Sequence, residues 1–226
     1  MMHRRFANRE EAGQELARRL ASYQGRRDLL VLALPRGGVP VAAPVAAALG
    51  APLDLLIVRK LGVPGQEELA FGALTRNGVR VLNDEIVSAG RLTAEDIDRV
   101  VAREELERQR REKLYRDGRP GPNPHEKIVI LVDDGLATGA TMRAAVTVLL
   151  THDPHQIIVA VPVAAPETCQ EFDQLDPRVQ VICLLTPPDL QAIGLWYDDF
   201  SQVSDEEVLA ILAHARLSGD GPERRS

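Results

Sequence analysis

The sequence predicts an α/β protein built on a single doubly wound, mainly parallel sheet, and three observations carry that expectation. Residues 128–132 are an unbroken run of β-branched and leucine side chains without polar alternation, the pattern of a strand buried on both faces. Residues 29–34, 53–58, 156–163 and 179–185 are further apolar runs, spaced by segments of helical or turn character. Between the first two of these, residues 41–49 are alanine-rich and follow a Gly-Gly turn, so the chain opens as a β-α-β unit.

In chain order, residues 8–23 place Ala12, Leu16, Ala17 and Leu20 on one helical stripe, with Asn8 as N-cap. Pro35-Arg36-Gly37-Gly38 separates the first strand from the alanine-rich helix, and Gly50-Ala51-Pro52 turns the chain into the second strand, which ends at Arg59-Lys60. Residues 69–75 and 79–82 flank Arg76-Asn77-Gly78, the signature of a hairpin turn. Thr93-Ala94-Glu95-Asp96 reads as a helix start with early acids, and the charged stretch through Tyr115 as one long exposed helix. Arg119-Pro120-Gly121-Pro122-Asn123-Pro124 stops it. After the 128–132 strand, residues 142–150 look helical, 156–163 and 179–185 are two further core strands, and 167–174 a helix between them. Pro187-Pro188 opens a distinct C-terminal segment with a helix at 205–215, and residues 218–226 are polar enough to be disordered. No internal repeat is evident.

With 226 residues, 45% of them hydrophobic, the chain can bury the core of one α/β domain, with room for a small appended lobe. Its net charge of −6 argues against nonspecific attachment to nucleic acid or membrane as the main activity. The N-terminal residues lack the apolar centre of a secretory signal, and no apolar run approaches a bilayer's thickness, so a soluble cytoplasmic protein is expected. Cys169 and Cys183 have no Cys-x-x-Cys or histidine partner spacing, which favours buried packing residues over a metal or redox pair.

The chemistry concentrates after the 128–132 strand. Asp133 and Asp134 emerge at its C-terminal edge, where open α/β sheets bind ligands, and Gly135-Leu136-Ala137-Thr138-Gly139-Ala140-Thr141 leads into a helix. Carboxylates accept hydrogen bonds from a diol, glycines allow backbone to approach a phosphate, and a helix N-terminus offers free N–H groups to an anion. The alternative readings of Asp133 and Asp134 are an acidic strand end at the surface or a magnesium site of the receiver or phosphatase type; a phosphate loop of the nucleotide-hydrolysing kind is less favoured still, because Gly139 is followed by Ala140 and no lysine is present there.

The run from Asp133 to Thr141 resembles the phosphoribosyl pyrophosphate (PRPP) motif of the type I phosphoribosyltransferases. The resemblance spans about residues 28–185 and implies that family's fold: a parallel core at about 26–186, a hairpin and helix insertion at about 61–124, and a small C-terminal hood at about 187–215, all in one domain of residues 1–217. It implies that Asp133 and Asp134 hold the ribose hydroxyls, and that Gly135, Leu136, Ala137, Thr138, Gly139, Ala140 and Thr141 form the 5-phosphate loop. Arg36, Gly37 and Gly38 resemble the family's pyrophosphate loop, which often contains a non-proline cis peptide. Arg59 and Lys60 resemble a basic pair that contacts pyrophosphate, and Lys60, one of three lysines, joins the two acids as a candidate catalytic group. Mg2+ would arrive chelated by PRPP, with Asp133 or Asp134 assisting through ribose or water.

The implied reaction is displacement of pyrophosphate from PRPP by a nucleobase or another nitrogen nucleophile. Residues 61–82 sit where such enzymes carry a mobile loop and hairpin. Trp196 and Tyr197 are the natural acceptor-stacking residues of the hood, with attachment of this segment to the core left open as the alternative. The rival function is a PRPP-sensing regulator. Its nucleic-acid contacts would have to come from Arg108, Arg110, Arg111, Lys113 and Arg116, but these alternate with Glu104, Glu105, Glu107 and Glu112 as on a salt-bridged face. The expected partners are therefore PRPP and an acceptor, not nucleic acid or membrane, and the sequence leaves a homo-oligomer open.

Overall fold

The structure is a computed structural model that describes residues 5–74, 80–116 and 118–219. Helix α1 (Arg9–Arg19) starts where the Asn8 side chain accepts a hydrogen bond from the Glu11 N–H, with Glu10 and Glu11 in its first turn and Arg18 and Arg19 in its last, as the helix dipole favours. Strand β1 (Leu29–Ala33) is buried at every position and leads to α2 (Gly38–Leu49). This helix begins before residue 41, because Pro40 falls in its first turn, where a missing N–H leaves no intrahelical bond unmade. Strand β2 (Leu53–Leu55) is shorter than expected. Arg59-Lys60 does not end it but opens β3 (Arg59–Val63), which pairs antiparallel with β4 (Gln66–Leu74), as does β5 (Arg80–Leu82).

The turn residues Arg76, Asn77 and Gly78 lie outside the described residues. Asn83 caps α3 (Asp84–Ala89), a helix the sequence reading missed, and Thr93 precedes α4 (Ala94–Arg116). Strand β6 (Ile128–Val132), helix α5 (Ala140–Leu150), strand β7 (Gln156–Val163), helix α6 (Pro166–Asp173) and strand β8 (Val179–Leu185) follow. A 3-10 turn at Ile193–Trp196 and helix α7 (Asp205–Gly219) complete the chain. Helix α7 thus takes in the first residues of the expected polar tail, and residues 220–226 lie outside the described ones.

Two compact units are formed. The first comprises Met1–Leu55, Pro124–Ala137 and Pro154–Ser226, and holds a five-stranded sheet in the order β2-β1-β6-β7-β8. All four pairings are parallel. The α/β class follows directly from strands buried on both faces, β1, β6 and β7 above all, but β8 is an edge strand with half-buried side chains and not a core strand. Cys169 and Cys183 are likewise half-buried, and their Sγ atoms lie 2.9 Å apart, so they form a thiol pair that their sequence spacing did not suggest.

The second unit comprises Leu56–Asn123 and Thr138–Asp153, with the antiparallel sheet β3-β4-β5. Leu61, Val63, Phe71 and Leu74 from that sheet meet Val100 and Val101 of α4, with Ile86, Val87, Leu92 and Ile97 packed around them. Helix α4 is therefore not exposed all round. One face enters this core, and its charges pair along the helix: Arg108 with Glu105, Arg110 and Arg111 with Glu107, Arg116 with Glu112. Arg110, then Arg111, hold the Glu107 carboxyl down at about 2. No helix among the described residues is long and apolar enough to cross a membrane.

The start of α4 carries a reciprocal cap: Thr93 Oγ1 accepts from the Asp96 N–H at 3.1 Å, and Asp96 accepts from the Thr93 N–H and hydroxyl at 3.1 and 2.6 Å. Thr93→Ala removes this exchange and is expected to cost about 1 kcal/mol. Urea unfolding should show a lower midpoint with an unchanged slope.

Candidate functional site

Register builds the site. Strands β1 and β6 pair from Leu29 with Ile128 through Ala33 with Val132, so both end at one level of the sheet. The Leu34 N–H then donates to the Val132 carbonyl at 3.0 Å, which brings the loop after β1 alongside the acid pair after β6. In that loop the Pro35–Arg36 peptide is cis. Gly37 faces the Asp134 carboxylate so closely that a Cβ there would overlap it. At Gly38 a Cβ would lie 2.6 Å from the Val132 oxygen and 2.9 Å from the Asp133 Cα, so only glycine permits this approach.

Both acids are half-buried. Burial pushes the Asp133 carboxyl well above the usual carboxylate range, and the neighbouring Asp134 charge adds to the rise. Burial also raises Asp134, against the opposing pull of Arg9. Asp133 Oδ1 accepts from the Asp134 N–H at 2.9 Å, and Asp134 Oδ2 is paired with Arg9 Nε at 2.9 Å. Partly desolvated carboxylates gain more from an incoming hydroxyl or cation than exposed ones do. Among the described residues no group of three or more His, Cys, Asp or Glu side chains could hold a metal ion. Two adjacent acids still fit a Mg2+ that brings most of its ligands with a substrate and water.

Arg36 belongs to the same constellation and forms an ion pair with Asp205, the first residue of α7, at 3.7 Å. Gly135 and Leu136 follow the acid pair beyond the end of β6, and the Leu136 amide is not free for a phosphate. Its N–H donates to the Val163 carbonyl at 2.9 Å, and its own carbonyl accepts from the Ala165 N–H at 3.0 Å. Leu136 is therefore an anchor of the loop, because β6 and β7 remain hydrogen-bonded beyond their ends. Thr168 extends the anchoring by donating its hydroxyl to the Ala137 carbonyl at 2.7 Å.

Thr138, Gly139, Ala140 and Thr141 lie in the second unit, at the start of α5. Gly139 is the N-cap with φ 71° and no side-chain cap bond, so the first-turn N–H groups of α5 receive no side-chain acceptor from the cap. Arg59 and Lys60 are in this unit too. The Arg59 guanidinium is held by Glu104 Oε2, at 2.8 Å from Nε and 2.6 Å from Nη2, because α4 packs across β3. Nε and Nη2 are thereby engaged, so a pyrophosphate contact from the paired Arg59 would fall to its remaining N–H groups.

Comparison with known proteins decides the family. Residues 6–186 match the model of the phosphoribosyl transferase domain. The chain belongs to this family. A Mycobacterium tuberculosis H37Rv protein named "Putative phosphoribosyl transferase Rv0571c", and its counterpart in strain CDC 1551, are each 46% identical over 210 residues, 93% of this chain. That match covers 47% of each relative, so the chain spans about half the length of the curated relatives it matches. Among solved structures, TT1426 from Thermus thermophilus superposes with a TM-score of 0.82 at 42% identity, over 93% of this chain and 98% of that one.

Tyr197 takes one of the two roles that the sequence left open, and Arg9 takes a position that it did not announce. Tyr197 is 1% exposed, with Phe6 and Phe200 ring centroids at 5.6 and 5.0 Å, and its hydroxyl donates to the Asp134 carbonyl at 2.7 Å. This is the attachment role that the sequence left open, and a base could stack on Tyr197 only if those rings parted. Trp196 is half-buried against the same cluster. Arg9 was not singled out at all. Its only sequence signal is its place as the first residue after the Asn8 cap.

Proposed function

We propose that the chain is a PRPP-dependent phosphoribosyltransferase in which a nitrogen nucleophile, a nucleobase or small amine, displaces pyrophosphate from PRPP. The observation that carries this reading is the packing of the glycine loop after β1 on the acid pair after β6, with Gly37 and Gly38 against Asp134 and Asp133. In the reaction the C1–O bond to pyrophosphate breaks as the acceptor nitrogen bonds C1 from the opposite face, and the acceptor's proton leaves to solvent or base. Positive charge gathers on the sugar while the leaving group gains negative charge. Arg36 and the Gly37 backbone stabilise the leaving group, and Asp133 and Asp134 hold the ribose hydroxyls; the Gly38 N–H is not available to pyrophosphate, because it donates to the Leu34 carbonyl at 3.1 Å, and Gly38 serves through its close approach to Asp133. Asp133 or Asp134 would assist, through ribose or water, in holding a Mg2+ brought by PRPP, which would supply charge neutralisation of the pyrophosphate.

The loop from Ala137 to Thr141 takes the 5-phosphate, supported by its family motif and by the uncapped start of α5. Lys60 as a catalytic cation rests on the sequence resemblance alone. Residues 1–217 act as one domain in this reading, in the cytoplasm. Arg108, Arg110, Arg111 and Arg116, four of the five α4 cations that a nucleic acid would need, are held in ion pairs along the helix, which supports an enzyme over a PRPP-controlled nucleic-acid binder. Pyrophosphate release from Mg-PRPP, scanned over nucleobases and small amines including ammonia, tests the proposal. Release with one acceptor supports it, and PRPP binding without release for any acceptor would favour the sensor.

A further inference from the structure

We infer that Arg9 is a positioning residue of this site, orienting the Asp134 carboxylate for the ribose and tying it to the C-terminal segment. The inference rests on the PRPP reading above. Arg9 is 9% exposed although it begins a surface helix. Its Nε meets Asp134 Oδ2 at 2.9 Å, its Nη1 donates to the Ser201 carbonyl at 2.8 Å, and its guanidinium carbon lies 3.8 Å from the Phe200 ring centroid. A planar fork with one nitrogen fixed on a carbonyl and one face laid on an aromatic ring has a single direction left for Nε. That direction is the acid.

The backbone delivers Arg9 to this point. The Phe6 N–H donates to the Trp196 carbonyl at 2.9 Å, the Asp198 N–H to Phe6 at 2.8 Å, and the Asp199 N–H to Ala7 at 2.9 Å, so residues 6–7 and 196–199 are stitched together just before α1. The Tyr197 hydroxyl then fixes the main chain of Asp134 while Arg9 fixes its side chain. Two torsions of the acid are thereby set by groups far from it in sequence. With Oδ2 engaged, Oδ1 is the oxygen that accepts from the ribose. Arg9 contacts no substrate in this account and acts only through Asp134.

A merely structural staple would also lose stability on mutation, so the test is a double-mutant cycle in ligand affinity. Calorimetry would measure binding of Mg-PRPP and of inorganic pyrophosphate to wild type, Arg9→Ala, Arg9→Lys, Asp134→Ala and Arg9→Ala/Asp134→Ala, each shown to be folded at the working temperature. The inference expects Arg9→Ala to weaken Mg-PRPP about 5- to 30-fold, the coupling typical of contacting residues, and to cost far less in the Asp134→Ala background, where no acceptor for Arg9 Nε is left. Pyrophosphate affinity should be unmoved. Arg9→Lys should fall between, because it keeps the charge without the fork; it also covers the case in which Arg9→Ala does not fold. Equal losses in both backgrounds, or equal weakening of pyrophosphate, would overturn the inference and leave Arg9 a staple of the C-terminal segment. If wild type itself fails to bind Mg-PRPP, the functional proposal falls first and the role of Arg9 with it.

Discussion

Asp134→Asn is expected to weaken Mg-PRPP binding about 10- to 150-fold while sparing inorganic pyrophosphate. The substitution keeps the shape of the side chain and removes its charge, and a hydrogen bond to a charged group contributes about 1.5 to 3 kcal/mol. The asparagine oxygen can still accept from Arg9 Nε, now 2.9 Å from Oδ2, so the fold should survive. Stability should nonetheless fall, because Arg9, whose side chain is 10% exposed, loses its counter-charge. Affinity must therefore be measured well below the variant's own melting temperature. Calorimetry showing wild-type Mg-PRPP affinity in a folded Asp134→Asn variant would remove this acid from the ribose site.

Gly38→Ala should damage the other half of the site. Its methyl group would meet the Val132 carbonyl oxygen at 2.6 Å and the Asp133 Cα at 2.9 Å, both backbone atoms at the end of a central strand. Neither can swing away as a side chain would, so the loop after β1 must move off the acid pair. Overpacking of this kind costs about 1 to 3 kcal/mol, or roughly 5- to 150-fold in affinity if the displaced loop is the one that binds. Pyrophosphate and Mg-PRPP should weaken together. Gly50→Ala is the control: Gly50 also forbids an ordinary side chain, through its φ of 65°, but no atom lies within 4 Å of an added Cβ. It should lower stability and leave both affinities alone. Unchanged pyrophosphate binding in Gly38→Ala would place the leaving group elsewhere.

The strands that carry the site were legible because burial on both faces writes a continuous apolar run, and β1, β6 and β7 follow those runs closely. The place of the acid pair and its loop between β6 and α5 was legible because an apolar run ends abruptly in two acids followed by small, turn-prone residues. Contacts between distant segments were not. Residues 53–58 read as one strand because Leu56, Ile57 and Val58 are as apolar as Leu53 and Leu55, yet pairing with β1 stops at Leu55. The Leu136 amide looked available for phosphate because nothing nearby in sequence announces its bond to Val163. Arg9 lies 125 residues from Asp134, and the separation hides the ion pair from any local pattern. Tyr197 was noticed as an aromatic in an aromatic-poor chain, but only the fold shows its hydroxyl on the Asp134 carbonyl.

Titration of the wild-type protein with Mg-PRPP, read by calorimetry and by thermal unfolding, tests the central claim most directly. A ligand held only by the folded state stabilises it by about 2.7 kcal/mol at a hundred times its Kd, so the melting temperature should rise with concentration. Ribose 5-phosphate should raise it less, since it lacks the contacts of the pyrophosphate loop. Saturable heat with a rising melting temperature is the predicted result; no heat and an unchanged melting temperature at millimolar Mg-PRPP would contradict the account.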